Sequence, residues 1–415
     1  MSTTTSATIT TTPAGTNGHR TPAGATARAA WPRPMREGDD RFVGLAADVG
    51  AVAAAHAAEH DRDNTFVRPA YDAMAEAGYL RMVVPEALGG GGATLRQACY
   101  AQAELARHDG AAALAACMHT YNVAAQVLRL RAGAPDAEGV LRRVATDDLV
   151  IAASGGSDWL WPDAVATEVD GGFSVSGRKV FCSQSPAAGV LSTCAVLGEP
   201  GPGAEVLHFA VPLAAEGVQV VETWDTLGMR GTSSHDVLFD GATVPADMVV
   251  GRRPWGEFGK PLMLAACCFA PLAAATYLGI AGGARDLAVA SLDGRLSGAK
   301  GAAMSARVQR AVGAMDADLA VAWWAILGGA DTLAADGPGA ATLATVMIAK
   351  RAAVTAAGSV VEAAAETLGG RSYFRSSPLE RAWRDVRAGA FHPLTPEATL
   401  AYAGQLALGG TGASE

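Results

Sequence analysis

The chain has 415 residues, half of them apolar and 18% charged, which excludes a disordered or disulfide-stapled protein and indicates a globular one of two or three domains. A net charge of −9 without any Lys/Arg block argues against a nucleic-acid partner. Six cysteines (Cys99, Cys117, Cys182, Cys194, Cys267, Cys268) form no CxxC pair and read as buried free thiols of a reducing, cytoplasmic compartment. The eight histidines show no zinc-site arrangement.

Residues 1–38 are rich in Thr, Ser, Ala, Pro and Gly and carry no acid before Glu37. Too polar to fold alone, they read as a disordered tail, and they lack the apolar stretch of a secretory leader. Phe42, Leu45, Val49 and Val52, with His56 next in step, are spaced by three and four, the period of a helix with one buried face. Further helices are expected over 70–77 and 95–130, with a break at the Gly89 to Gly92 run, giving a helical domain over 39–148. After Asp148 the period falls to two. Val165, Thr167 and Val169, then Phe173, Val175, Gly177 and Lys179, flank Asp170-Gly171-Gly172 as the strands of a hairpin. Short apolar runs at 191–197, 207–211, 218–221 and 237–239 complete a β domain over 149–252.

Helical spacing returns beyond Pro261. Val308, Val312, Met315, Leu319, Trp323 and Ile326 share one face, and 343–368 forms a second long helix, so a bundle is expected over 253–410. Residues 261–284 comprise 24 positions without a charge, and a helix of that size reaches about 36 Å, enough for a membrane. Pro271 and the wealth of Ala, Gly and Cys favour instead a helix buried in a core or a subunit interface, so no membrane partner is expected.

Dinucleotide, P-loop, HExxH and GxSxG motifs do not occur. What stands out are short cues in a fixed order. They are Val84-Pro85-Glu86 with Gly89-Gly90, Gly156-Ser157-Asp158, Gly177 to Ser183, Leu227-Gly228-Met229-Arg230, Val244-Pro245 with Gly251, Gly279-Ile280-Ala281, Leu368-Gly369-Gly370, and Leu379-Glu380-Arg381 with Arg384-Asp385. In that order the chain, from about residue 41 to 410, resembles the acyl-CoA dehydrogenase superfamily. The resemblance implies an α+β fold with an N-terminal helical domain, a middle β-barrel-like domain and a C-terminal four-helix bundle. It also implies a flavin, FAD or FMN, and a homo-oligomer, tetramer or dimer.

By the same resemblance Phe181 lies beside the flavin ring and Ser183 near its reactive nitrogen, while Ser154 and Ser157 belong to the loop covering the ring. Thr395 is carried over to the cofactor as well. Arg295 and Gly369-Gly370 match the residues that reach the pyrophosphate of a neighbouring subunit's FAD. The Phe-Gly that follows this arginine in the family is replaced by Leu296-Ser297-Gly298, which leaves FMN open.

A dehydrogenase of this family uses a glutamate to abstract a proton beside a thioester carbonyl. Its commonest position, which follows Arg-Asp after seven intervening residues, is Pro393 here, and the alternative position on the uncharged helix reads Cys268-Phe269-Ala270-Pro271. Both bases are missing. His392 takes up the neighbouring place, as in the two-component flavin monooxygenases built on this fold, where a separate reductase delivers reduced flavin. An imidazole can protonate or stabilise the flavin–oxygen adduct or deprotonate the substrate. His119 is a second candidate for the same cavity. The leading expectation is a reduced-flavin and O2-dependent monooxygenase acting on a small organic or carrier-bound substrate, and the alternative is an acyl-CoA or acyl-carrier-protein dehydrogenase with a non-standard base. Arg384 and Arg387 keep the alternative open, because the family often places such arginines near its flavin or thioester tail.

Overall fold

The computed structural model describes residues 32–292 and 298–410. The N-terminal part is helical: α1 (Val43–Asp63), α2 (Arg68–Ala77), α3 (Leu95–His108), α4 (Gly110–Arg131) and α5 (Ala137–Thr146). The helix expected over 95–130 is two helices. Asp109 is extended (φ −151°), and its carboxylate accepts the Ala111 N–H at 2.9 Å, an N-cap that ends one helix and starts the next. The apolar period runs through this break because α4 is buried on nearly every side for most of its length. Ahead of α1, Arg36 pairs with Asp331 and Arg96 of α3 bridges Asp39 to the same Asp331, so the end of the stretch read as a tail is tied down.

Eight strands follow: β1 (Ile151–Ala153), β2 (Val165–Val169), β3 (Gly172–Cys182), β4 (Val190–Leu197), β5 (Glu205–Pro212), β6 (Val218–Val221), β7 (His235–Pro245) and β8 (Val249–Pro254). They form one sheet in the order β6-β7-β3-β2-β4-β5-β8. β1 runs parallel to the first half of β4 and β2 parallel to its second half. The β2–β3 hairpin turns at Asp170-Gly171, where Gly171 takes a left-handed φ of 77°. One face packs Phe173, Val175, Leu191, Phe209, Val237 and Phe239 into a separate core.

The C-terminal part is α6 (Lys260–Ala290), α7 (Gly298–Asp336), α8 (Ala340–Leu368), α9 (Pro378–Asp385) and α10 (Pro396–Ala407). α8 packs on α6, α7 and α10, making the bundle. Helices α6, α7 and α8 are each long and apolar enough to cross a membrane. The helix α6, uncharged over 261–284, instead runs through the protein between α3, α4, α7 and α8. Its approach to α3 requires Gly279, where a Cβ would lie 2.2 Å from the Ala103 carbonyl oxygen. This crossing sets α4 and α6 side by side over the sheet, and the main cavity opens at that seam.

Candidate active site

The cavity, about 370 Å³, lies between α4, the ends of β1 and β3, α6 and the 3-10 turn Val386–Phe391. Aromatic side chains dominate its wall: Tyr121, Trp159, Phe181, Trp224, Phe269 and Phe391. Phe181 is half exposed toward it and meets the Trp224 ring edge-on at 6.1 Å. The loop at Gly155-Gly156 passes close over Phe181, and a Cβ on Gly156 would sit 3.0 Å from its ring. Glycine is needed there for both the contact and a φ of 73°.

The polar edge is a chain of hydroxyls. Ser183 and Ser234 line the cavity and lie 2.7 Å apart, Ser234 and Thr232 are 2.7 Å apart, and Thr232 donates to the Met229 carbonyl at 2.9 Å. Ser154 lines the cavity too, but its hydroxyl donates to Asp158 at 2.7 Å and lies 2.8 Å from Thr193. Asp158 is in turn held by the fully buried Lys179, whose ammonium also donates to the Cys194 carbonyl. The network therefore fixes the loop and spends the Ser154 hydroxyl on it. The pairing of Lys179 with Asp158 was not foreseen in the sequence, although Lys179 falls in step with Phe173 and Val175 on the strand and Asp158 lies in the Gly156-Ser157-Asp158 cue. Ser157 lies in the 3-10 turn Gly156–Trp159, with its side chain outside the described structure.

His392 reaches the cavity from the opposite side. Its Nε2 lies 2.6 Å from the hydroxyl of Tyr277, a fully buried residue of α6, and its ring meets Phe269 at 5.7 Å. Burial first and the Lys350 charge second lower its imidazole to about 3. It is a neutral base and hydrogen-bonding group across the ordinary pH range. Lys350 of α8 is itself buried, donates to the carbonyls of His392 (3.0 Å) and Leu394 (2.8 Å), and is lowered by desolvation to about 7.

Other expected residues lie elsewhere. His119 is wholly buried, with Nε2 2.8 Å from the Leu80 carbonyl and Nδ1 accepting the Ile151 N–H at 3.1 Å. Both nitrogens are spent on backbone, so His119 joins α4 to β1 and is not an acid or base of the cavity; its neighbours Met118 and Tyr121 line the wall instead. Thr395 caps α10, accepting the Ala398 N–H at 3.2 Å, and is not among the cavity-lining residues. Gly369 and Gly370 sit at the exposed end of α8, away from the cavity, with open space where their Cβ atoms would be. Arg295 lies outside the described residues. Arg384 touches the cavity, but its guanidinium is committed to Asp61, Glu380 and the Leu227 carbonyl. Arg387 stacks on Trp383 at 4.3 Å.

A second chamber of about 380 Å³ shares Tyr121, Ala153, Ser154 and Trp159 with the first. It is more polar, lined by Asn122, Gln126, Arg129, Thr193 and Lys260 among others.

Sequence models of the acyl-CoA dehydrogenase N-terminal, middle and C-terminal domains match residues 46–137, 153–242 and 272–397. The chain belongs to the acyl-CoA dehydrogenase family. Among its relatives is the amino sugar nitrososynthase DnmZ of Streptomyces peucetius, 30% identical over 370 residues, with 86% of this chain and 90% of that protein covered. A solved structure of KijD3 in complex with FMN and dTDP-3-amino-2,3,6-trideoxy-4-keto-3-methyl-D-glucose superposes with a TM-score of 0.80 at 28% identity, covering 92% of this chain and 97% of that one. The FMN-bound TdsC of Paenibacillus sp. A11-2 has the same fold, at a TM-score of 0.78 and 24% identity over 89% of this chain and 97% of its own. Within this acyl-CoA dehydrogenase family member, no Asp or Glu lines the main cavity among the described residues.

Proposed function

We propose that this chain, a flavin-dependent oxidoreductase of the acyl-CoA dehydrogenase family, is a monooxygenase that uses reduced flavin and O2 on a small or carrier-bound substrate whose reacting group is neutral, with His392 as its proton-handling group. The observation that carries the reading is the cavity's chemistry. Where a desaturating member needs a carboxylate, this one presents a neutral imidazole and two hydroxyls in an aromatic wall. Such a site lacks the carboxylate with which desaturating members take a proton from a thioester α-carbon, while its imidazole and hydroxyls can exchange protons at oxygen or nitrogen.

The cavity suits an isoalloxazine. Phe181 and Trp224 supply flat apolar contact, and Ser183 with Ser234 supply hydroxyls that can donate or accept at a ring edge. When bound, a reduced flavin supplies the two electrons of the reaction, in which one atom of O2 passes to the substrate and the other leaves as water. His392 would relay a proton or hold a hydrogen bond on the substrate side as a neutral ring, and the aromatic wall would keep bulk water away from the reacting atoms. With no carboxylate on the wall among the described residues, the site favours a neutral amine or aromatic compound over a cation. Relatives named as amino sugar nitrososynthases make an amino sugar the first substrate class to try.

The second chamber would house the remainder of a carrier-bound substrate, with Lys260 and Arg129 near its charge. Lys260→Ala should therefore raise KM several-fold and leave kcat nearly unchanged; a fall in kcat alone would remove the chamber from binding. A separate flavin reductase would supply the cofactor, and a second copy of the chain would cover the exposed Val321, Trp324 and Ile348 of α7 and α8.

The test combines the purified protein with chemically reduced FMN or FAD, air and a panel of nucleotide-linked amino sugars, and follows products by mass. A product heavier by one oxygen, lost in His392→Ala while flavin affinity stays, supports the reading. Desaturation of an acyl-thioester, or unchanged turnover in His392→Ala, overturns it.

A further inference from the structure

We propose that Tyr277 and Lys350 are positioning residues that set His392 as a neutral imidazole carrying its proton on Nδ1, the nitrogen not engaged by Tyr277. The inference rests on the reading of His392 as the proton-handling group, and its geometry stands apart from any flavin. Tyr277 lies wholly inside α6, and the only hydrogen-bond partner recorded for its hydroxyl among the described residues is His392 Nε2, at 2.6 Å. A neutral imidazole has one donor and one acceptor nitrogen. If Nε2 carried the proton, the phenol would accept it and its own O–H would be left buried with nothing to donate to. If the phenol donates, both groups are satisfied and the ring proton must be on Nδ1. Burial raises the Tyr277 hydroxyl well above its ordinary value, which keeps it a donor.

Lys350 works on the same residue from behind. Its ammonium, 2% exposed, grips the carbonyls of His392 and Leu394 and so fixes the backbone on both sides of Pro393. A positive charge there also opposes a second positive charge on the imidazole. The ionisable groups facing His392 are Tyr277 from α6, Lys350 from α8 and, along the cavity wall, Arg384 at the end of α9 and Arg387 in the following turn. Of these cations Lys350 acts on the ring, while Arg384 is paired with Asp61 and Glu380 and Arg387 with Glu362. Neither Tyr277 nor Lys350 would be suspected from sequence, since one sits in an apolar run and the other in an Ala-rich helix.

The experiment is 15N NMR of the full chain labelled at histidine, without flavin and without turnover, at pH 5 to 8 for the tautomer and down to pH 2.5 for the titration. His392, assigned by its loss in His392→Ala, is expected to be neutral and protonated on Nδ1. Tyr277→Phe should turn the population over to the Nε2–H form that free imidazole side chains prefer. Lys350→Met should raise the pH at which the ring titrates by about one unit, and Lys350→Arg should restore it. Lys350→Gln, which keeps a neutral donor, separates loss of the charge from loss of the carbonyl contacts. A wild-type Nε2–H form, or a tautomer unmoved by Tyr277→Phe, overturns the role of Tyr277; a titration unmoved by Lys350→Met overturns that of Lys350. Should the tautomer be as expected in a protein that oxygenates nothing, it is the functional reading that fails.

Discussion

At the residue scale, the cavity is where the backbone is most strained. Of the six non-glycine residues with left-handed φ among those described, Phe181 (56°) and Met229 (54°) line it, and Gln184 (59°) and Ser233 (41°) adjoin its lining residues Ser183 and Ser234. Each such residue costs about 1–2 kcal/mol, and specific bonds hold the conformation. Gln184 donates through its side chain to the Ile151 carbonyl, and Met229 donates its N–H to Asp385 at 2.6 Å. Replacing Ser233 by Gly should relieve the strain and, after the greater freedom of the unfolded glycine, raise stability by about 0.5–1 kcal/mol in urea unfolding. A lower midpoint would show that the left-handed turn is not strained. Arg384 illustrates the opposite case, a residue whose motif suggested the site and whose contacts are structural. Its guanidinium, 5% exposed, joins α9 to α1 through Asp61 and to its own helix through Glu380. Arg384→Met leaves Asp61 without its cation and Glu380 with Arg375 alone, and should cost about 3 kcal/mol; a loss below about 1 kcal/mol would return Arg384 to the candidates for ligand binding.

At the element scale, the long periodic helices and the β2–β3 hairpin were legible because one buried face repeats over many residues. The short elements β1, β8, α5, α9 and α10 were not, since few residues mark each of them and their burial depends on what packs above. The break at Asp109 shows a related blind spot: two helices buried alike leave a continuous apolar pattern, and only the capping carboxylate signals the stop. Phe181 and Ser183, which line the cavity, could be singled out because they lie in ordered motifs. His119 was misplaced because one helix can send Met118 and Tyr121 to a cavity while the residue between them turns into the core. The α3–α6 crossing is the element contact on which the site depends. A Cβ at Gly279 would lie 2.2 Å from the Ala103 carbonyl and 2.7 Å from the Ala106 Cβ, backbone and a short side chain that cannot swing aside. Gly279→Val should therefore part the helices and lower stability by about 2–3 kcal/mol, seen as a lower Tm together with weaker flavin binding. Ala in the same place should cost less, and equal effects of Ala and Val would mean that the crossing is not steric.

At the scale of the whole molecule, buried titratable groups give the fold a predictable response to pH. His119, His208 and His392 are lowered by burial to about 4, 3 and 3 from an ordinary 6.5. For His208 the geometry agrees, because its Nε2 accepts the Arg253 Nε–H and must be unprotonated. Asp385 is the opposing case, raised by burial to about 7 from 3.8. Between pH 4 and 6.5 the unfolded chain takes up protons on three histidines that the folded chain refuses, while the folded chain holds one on Asp385 that the unfolded chain releases. The histidines outnumber the aspartate, so stability rises with pH through this window, at about 1.4 kcal/mol per pH unit for each net proton. Lys350, lowered to about 7 from 10.5, adds a further rise above pH 7, where the unfolded chain stays protonated and the folded chain does not. Thermal melts at constant ionic strength should accordingly climb from pH 4.5 to 6.5. Asp385→Asn keeps an acceptor for the Met229 N–H and removes the opposing proton, so its climb should be steeper than that of the parent chain. A flat or falling profile in the parent, or a shallower one in Asp385→Asn, would mean that these groups are hydrated in the folded protein and that the apolar wall around His392 does not keep its imidazole neutral.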